Sequence, residues 1–302
     1  MSGERVHYRV VHRTNYEYGL PVELAHNEAR LRPRFAPSQR CLMSELAVAP
    51  VPAVMHDRMD YFGNAITYFA LALPDRSLTV IATSEVEVVV PRRDDALPIS
   101  APWEEVRDRL GGSSAPNLLE AREFVLDSPM VAASEALRDY AVPSFPPGRP
   151  IFEGASDLAR RIRREFAYEP ESTTIGTSLD DVLEQRRGVC QDFAHLAIGC
   201  LRSLGLAARY VSGYVESVRP GSDRVRGAEA SHAWLATYDP LSGWLEIDPT
   251  NDQVPARQHV TLAWGRDYGD VAPLKGVLIG GGEHTLDAVS YTHLTLPTIL
   301  RV

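Results

Sequence analysis

A cysteine that opens a helix differs chemically from one inside it, because the unpaired amides of the first turn and the helix dipole favour the thiolate, the nucleophilic form. Cys190 is predicted in that place. Gly188-Val189 precede it, Phe193, Leu196, Ala197, Cys200, Leu201 and Leu204 recur on one helical face, and Gly205 ends the segment. Arg186 and Arg187 add positive charge just upstream. A thiolate nucleophile needs a proton acceptor, and the acceptor needs an orienting group; His232 and Asp248 meet both needs. Residues 230–238 and 244–248 read as strands around the turn Asp239-Pro240-Leu241-Ser242-Gly243. With Tyr238 opposite Trp244, His232 and Asp248 become diagonal neighbours on one face, roughly 7–8 Å apart between backbones. A slip of one residue would place them on opposite faces.

The remaining cysteines, Cys41 and Cys200, read as packing residues, and no Cys-x-x-Cys pair suggests a disulfide framework or a thiolate zinc site. Cys190, His232 and Asp248 as metal ligands is the weaker alternative, since no metal-spaced ligand pair occurs within one element. No metal or other cofactor is expected, and no calcium-loop signature is present.

The elements that must carry these residues follow from periodicity. From Arg5 to about Val90 the pattern is period two, with turn signals at Gly19-Leu20-Pro21, Phe62-Gly63-Asn64 and Pro74-Asp75-Arg76, which predicts a small antiparallel β-sandwich over residues 1–91. Residues 92–150 change to helical segments broken by proline (103–110, 117–126 and 134–140) and read as a helical connector that begins the second domain. A core over 151–288 follows. It has helices at 155–166, capped by Ser156 or Asp157, and at 178–185, where Ser178-Leu179-Asp180-Asp181 loosely matches a capping box; then come the Cys190 helix, strands at 209–218, 230–238 and 244–248, and β-like chain from His259 to about Leu286. The overall expectation is an α+β fold in two parts.

Composition bounds the partners. With 302 residues, 31 basic and 40 acidic side chains and a net charge of −9, the chain is acidic and long enough for two domains. That charge opposes nucleic acid; the run Arg160, Arg161, Arg163, Arg164 reads as a solvated helix face. Only Lys275 among the basic residues is lysine, a bias of base composition rather than mechanism. No apolar run reaches the roughly 18 residues of a membrane span, and Met1-Ser2-Gly3-Glu4-Arg5 lacks the apolar core of a signal peptide, so a cytoplasmic location is expected.

Gly188-Val189-Cys190-Gln191-Asp192, Ser231-His232-Ala233-Trp234 and Gly243-Trp244-Leu245-Glu246-Ile247-Asp248-Pro249-Thr250-Asn251 resemble, in order, the three motifs of the bacterial transglutaminase-like superfamily. Residues 204–214 and 265–271 resemble further signatures, and the β-rich start resembles the domain found ahead of such cores. The resemblance implies a papain-like core in which a Cys-bearing helix packs on an antiparallel sheet. It also implies Cys190 as nucleophile, His232 as base and Asp248 as orienting acid, in acyl transfer through a thioester.

The Cys190 amide is a natural oxyanion donor. Gln191 and Tyr168 are candidates for a further contribution, and Trp234 and Trp244 for walls of the cleft. The expected substrate is a protein, peptide or other amide, cleaved by a cysteine protease or amidase. Glutamine transamidation and a non-catalytic binding or assembly role are the alternatives. Finally, Ser290-Tyr291-Thr292-His293-Leu294-Thr295-Leu296-Pro297 loses the charged texture of the chain and resembles translated sequencing adapter, so residues 289–302 are expected to form a non-native or disordered tail without function.

Overall fold

The computed structural model describes residues 4–72, 74–90, 97–112, 115–170, 172–174, 176–216, 231–255 and 258–295. Alternation of apolar and polar residues up to Val90 produces β1 (Glu4–Ala29), β2 (Gln39–Ala49), β3 (Val54–Met59), β4 (Ala65–Leu71) and β5 (Asp75–Val90), in the sheet order β2-β5-β1-β4-β3. β1 changes partner at Gly19-Leu20-Pro21: Glu4 to Glu17 pair with β5, whereas Ala25 to Ala29 pair with β4. The sheet therefore turns back on itself. Ala25 and Phe69 from one half pack against Leu78, Val80 and Ala82 from the other, so the sandwich is built around one shared strand instead of two separate sheets.

The second part contains α1 (Trp103–Gly112), α2 (Pro116–Glu123), α3 (Glu135–Ala141), α4 (Ile151–Glu165), β6 (Ala167–Tyr168), α5 (Leu179–Gln185), β7 (Arg187–Gly188) and α6 (Cys190–Ser203). An antiparallel sheet follows, made of β8 (Ala208–Val215), β9 (His232–Asp239), β10 (Gly243–Ile247) and β11 (His259–Gly265) in the order β10-β9-β8-β11. α6 packs on β8 and β9 with one side and on α3, α4 and α5 with the others, so its residues from Asp192 to Arg202 are all buried. This explains its near-continuous apolar sequence. Arg202, itself buried, ties the helix end to its surroundings by donating to the carbonyls of Phe124 (3.0 Å), Ala208 (3.0 Å) and Arg266 (2.6 Å) and to Ser128 Oγ (3.1 Å). No described helix is long and apolar enough to cross a membrane.

Several expectations require correction. The helices of 92–150, expected as a connector that begins the second domain, are built into its core: Val106, Leu118 and Leu137 belong to the same core cluster as Phe193 and Leu201 of α6. α4 starts at Ile151 with Pro150 before it, ahead of Ser156 and Asp157, because the buried face already begins at Ile151 and Phe152. Cys41 lies half-exposed beside a bulge in β2, where the strand register shifts, rather than packed. After α7 (Tyr268–Val271), β12 (Leu274–Gly280) and β13 (His284–Thr295) leave the second sheet and pair with β1. Residues 289–295, expected in a tail, continue β13 opposite Arg13 to His7, with Ser290 and Thr292 buried; residues 296–302 lie outside the described residues. Strand periodicity defines a face but names no partner, and β1 offered two free edges.

The two parts share a core, since Val6, Tyr8, Val10, Val86 and Val88 join the cluster around α6. Polar contacts fasten the seam. Gln39 Oε1 accepts from the Thr261 amide and Gln39 Nε2 donates to the Thr261 carbonyl, both at 2.8 Å, satisfying both backbone groups of one residue at the bulge of β11. Asn64 does the same for Trp264, with Nδ2 donating to its carbonyl (2.8 Å) and Oδ1 accepting from its amide (3.0 Å), and the Arg34 guanidinium stacks on the Trp264 ring at 3.2 Å. Gln39→Leu strands a buried amide and carbonyl, and urea unfolding is expected to show a loss of about 2 kcal/mol or more.

Candidate active site

The start of α6 is assembled by its neighbours. β6 pairs with β7 in parallel, setting Tyr168 opposite Gly188, two residues before Cys190. Asp192 curls back so that its Oδ2 accepts from the Val189 amide (2.8 Å) and from the Thr173 hydroxyl (2.6 Å). Only glycine fits at 188, because a Cβ there would lie 2.7 Å from Asp192 Oδ2. Cys190 is thus the first helical residue, and the amides of Cys190, Gln191 and Asp192 have no acceptor within the helix.

The hairpin of β9 and β10 takes the expected register, with Tyr238 opposite Trp244 and Leu235 opposite Ile247. The ladder stops at Ile247, and Asp248 instead bridges to Gln253 across a turn. That turn wraps the fully buried Asp248 carboxylate. Oδ1 accepts from the amides of Thr250 (2.9 Å) and Asn251 (3.2 Å), while Oδ2 accepts from His232 Nε2 (2.8 Å), Asn251 Nδ2 (2.8 Å) and His259 Nε2 (3.1 Å). With Nε2–H given to Asp248, Nδ1 of His232 is the ring atom left to exchange a proton; it is buried without a close hydrogen-bond partner, beside Cys190.

Electrostatics follow from this geometry. Burial alone would lower the His232 pKa, but Asp248 and, after it, Cys190 outweigh that effect and raise it well above its ordinary value. Burial likewise opposes the charged Asp248, and the two histidines overcome it, holding the carboxyl well below the usual range. Cys200, fully buried in the core, has its thiol pushed up to about 12 by burial, which removes it as a competing nucleophile.

A profile of the transglutaminase-like superfamily matches residues 143–249, and one of the bacterial transglutaminase-like N-terminal region matches residues 8–87. An uncharacterized protein of Mycobacterium tuberculosis is 42% identical over 290 residues, covering 94% of this chain and 91% of its own length. The chain belongs to the transglutaminase-like superfamily. Among solved structures, one described as "a Putative Cysteine Protease from Cytophaga hutchinsonii" superposes with a TM-score of 0.75 at 20% identity, covering 96% of this chain and 91% of that one, which shows the fold. The Protein-glutamine gamma-glutamyltransferase of Pseudomonas aeruginosa is 34% identical over 126 residues, 39% of this chain and 19% of that protein.

Within this transglutaminase-like core, the other candidates divide. Gln191 lines a groove of about 480 Å3 together with Asp192 and His195, and Tyr168 stands next to the helix start with its ring 6.4 Å from Phe193. Trp234 does not wall the cleft: fully buried, it donates from Nε1 to Glu246 Oε2 (2.8 Å) and meets the His259 ring edge to face at 5.1 Å, supporting the histidines from behind. Gly213 makes room for it, since a Cβ there would lie 2.4 Å from the indole. Trp244 is at the turn end of the hairpin, packed on Phe124 (5.3 Å) and Tyr238 (5.2 Å) under Arg209 (4.3 Å). Both tryptophans share the face of His232 and Asp248, but facing the same way along a hairpin does not place a side chain at the cleft.

His259 and Asn251 went unrecognised as site residues. Asn251 follows Asp248 closely enough to signal a turn, whereas His259 begins a separate strand and only β11's antiparallel pairing with β8, Val215 opposite His259, brings it to Asp248. His232, Asp248 and His259 place three ligand-type atoms within 4.8 Å, the spacing of a possible cation site. The Asn251 amide group, 2.8 Å from Asp248 Oδ2 and 3.3 Å from His232 Nε2, points N–H donors into that space, so the set suits hydrogen bonds better than a cation.

The pKa shifts set a stability window. Asp248 contributes above its unfolded value of about 3.9, and the contribution fades as pH falls toward its lowered folded value; His232 contributes below its unfolded value of about 6.5 and fades as pH rises toward its raised one. The melting-temperature gap between the parent and Asp248→Asn is therefore expected to be widest near pH 5 and to narrow on either side. His259→Leu, which removes a donor to Asp248, is expected to slow Cys190 alkylation about tenfold, with His259→Gln restoring most of the rate through its side-chain N–H.

Proposed function

We propose that this transglutaminase-like protein is a thiol-dependent hydrolase of amide bonds, a cysteine protease or amidase, with Cys190, His232 and Asp248 as its catalytic group. The observation that carries the reading is the buried His232–Asp248 hydrogen bond of 2.8 Å, which leaves Nδ1 next to a cysteine at the head of a helix. The Cys190 thiolate attacks the carbonyl carbon, and the negative charge on the carbonyl oxygen meets the unspent amides at the start of α6. As the C–N bond breaks, His232 Nδ1 gives its proton to the leaving amine and a thioester remains on Sγ. Water then adds to the thioester while His232 takes its proton, the C–S bond breaks, and the acid product leaves with the thiol regenerated.

A second reading, glutamine transamidation, draws on the similarity to the Pseudomonas aeruginosa gamma-glutamyltransferase over 126 residues. It differs only in the group that resolves the thioester.

Iodoacetamide labelling between pH 4 and 10, followed by peptide mass spectrometry, tests the nucleophile. The expected result is selective alkylation of Cys190 at neutral pH, slowed about tenfold or more in His232→Ala. A glutamine-containing peptide incubated with a primary amine then separates the readings. Ammonia release or chain cleavage without amine incorporation is expected, and incorporation would establish transamidation.

A further inference from the structure

Two cations meet at the seam between the N-terminal sheet and the core. Arg209 comes from β8 and Arg34 from the chain between β1 and β2, and both guanidinium groups lie against the same indole. Arg34 is 3.2 Å and Arg209 3.7 Å from the centre of the Trp264 ring, and the Trp244 ring is 4.3 Å from Arg209. Arg209 is only 7% exposed. It stands opposite Ala236, four residues along β9 from His232 and so about 13 Å away along the strand, which sets this cluster apart from the candidate catalytic group.

Neither cation has its charge answered by a contact. Arg34 donates to neutral acceptors, the Phe62 carbonyl (3.2 and 3.3 Å) and Asn64 Oδ1, and its Nε is buried without a partner. The Arg209 side chain makes no hydrogen bond among the described residues, and its Nε is likewise buried without a partner. Among the described residues neither guanidinium group forms an ion pair, although buried charges are ordinarily paired because desolvating a lone one is costly. Three carboxylates are close enough to be felt, and each is engaged elsewhere or turned to solvent. Asp60 pairs with Arg30 (3.4 Å), Glu246 Oε2 accepts from Trp234 Nε1 (2.8 Å), and Glu120 is exposed on α2. Burial therefore pulls Arg209 down to about 9 and Arg34 to about 10 against the field of these acids, and the charge of Arg34 lowers Arg209 further.

We infer that Arg209 and Arg34, framed by Trp244 and Trp264, form a binding site for a small carboxylate anion. The planar guanidinium fork matches a carboxylate through two parallel N–H···O bonds. With Nε of Arg209 sealed beside the rings, its Nη pair is the edge left for the ligand, and the two indoles offer apolar walls to the carbon body that carries the carboxylate. One bound anion supplies negative charge to both cations. Because Arg34 belongs to the N-terminal part and Arg209, Trp244 and Trp264 to the core, the ligand also ties the two parts together. The inference is independent of the role of Cys190.

Tryptophan fluorescence of the full chain, titrated with sodium acetate at pH 7.5 and at an ionic strength held constant with sodium chloride, tests the site, since two of the four tryptophans flank it. A saturable change is expected with acetate and none with neutral acetamide. Arg209→Gln and Arg34→Gln are each expected to raise the half-saturating acetate concentration about tenfold or more, and to abolish the rise in melting temperature that acetate gives the parent. Arg34→Gln, at the less buried position, keeps the test open where Arg209→Gln does not fold. Acetyl-Ala-Ala-Ala and its C-terminal amide distinguish the sources of the carboxylate. Binding of the acid about tenfold tighter than acetate, with the amide inactive, supports the site and assigns it to a chain terminus, whereas an acid no tighter than acetate supports it and assigns it to a free small acid.

The absence of a saturable response to acetate in the folded parent would overturn the inference. An equal response to acetamide, or an acetate response unchanged in a folded arginine variant, would do the same.

Discussion

The site depends on one constraint, the burial of the Asp248 carboxylate away from solvent. A buried charge is tolerated only when donors surround it, because the desolvation cost of an unpaired carboxylate exceeds the stability of most domains. Asp248 collects five donors from three places in the chain: its own turn, β9 and β11. Each donor fixes part of the architecture. The turn amides end β10 at Ile247, His232 requires the register of the hairpin, and His259 requires β11 to lie beside β8. Because the same oxygen receives His232 and His259, the tautomers of both rings are determined by one atom, and the proton-exchanging nitrogen of His232 is left on the side of Cys190.

The second organising element is α6, whose burial on every side does two things at once. It makes the helix a rigid axis, with α3, α4 and α5 on one side and the sheet on the other, so Cys190 is presented by backbone rather than by a mobile loop. It also separates the two cysteines of the helix by environment: Cys200 is sealed in the core with its thiol pushed up by burial, while Cys190, at the end of the helix, remains partly accessible. One helix thus carries an inert thiol and an approachable one.

Much of this was legible in the residues because it is local. The apolar face of α6 with Gly205 at its end, the Ser178 cap, whose Oγ accepts from the Asp181 amide at 3.1 Å, and the turn that sets Tyr238 opposite Trp244 all follow from spacing over a few residues. The illegible parts are those that need a partner distant in the chain. His259 is an ordinary strand residue until β11 finds β8. Trp234 looked like a cleft wall because its face was known while the space in front of that face, closed by Glu246 and His259, was not. The β-like pattern from His259 to about Leu286 covers β12 and only the first residues of β13, and the return of both strands to β1 is decided by which sheet edges remain open.

That return changes how the N-terminal sheet should be understood. β1 and β13 pair along twelve positions, from His7 with Thr295 to Tyr18 with His284, so the chain leaves the sheet, builds the core and comes back to close it. Gln39 and Asn64 then hold β11 by matching the peptide groups of Thr261 and Trp264, and Thr261 stands two residues from His259. One connection from the N-terminal sheet to Asp248 runs through β11: Gln39 hydrogen-bonds Thr261, the strand backbone continues to His259, and His259 Nε2 donates to Asp248 Oδ2 at 3.1 Å. A strand held at its bulge cannot slip in register, and a one-residue slip would turn His259 away from Asp248 and replace a donor with an apolar neighbour. The sheet ahead of the core is in this sense part of the site, because it maintains the register on which the buried carboxylate relies.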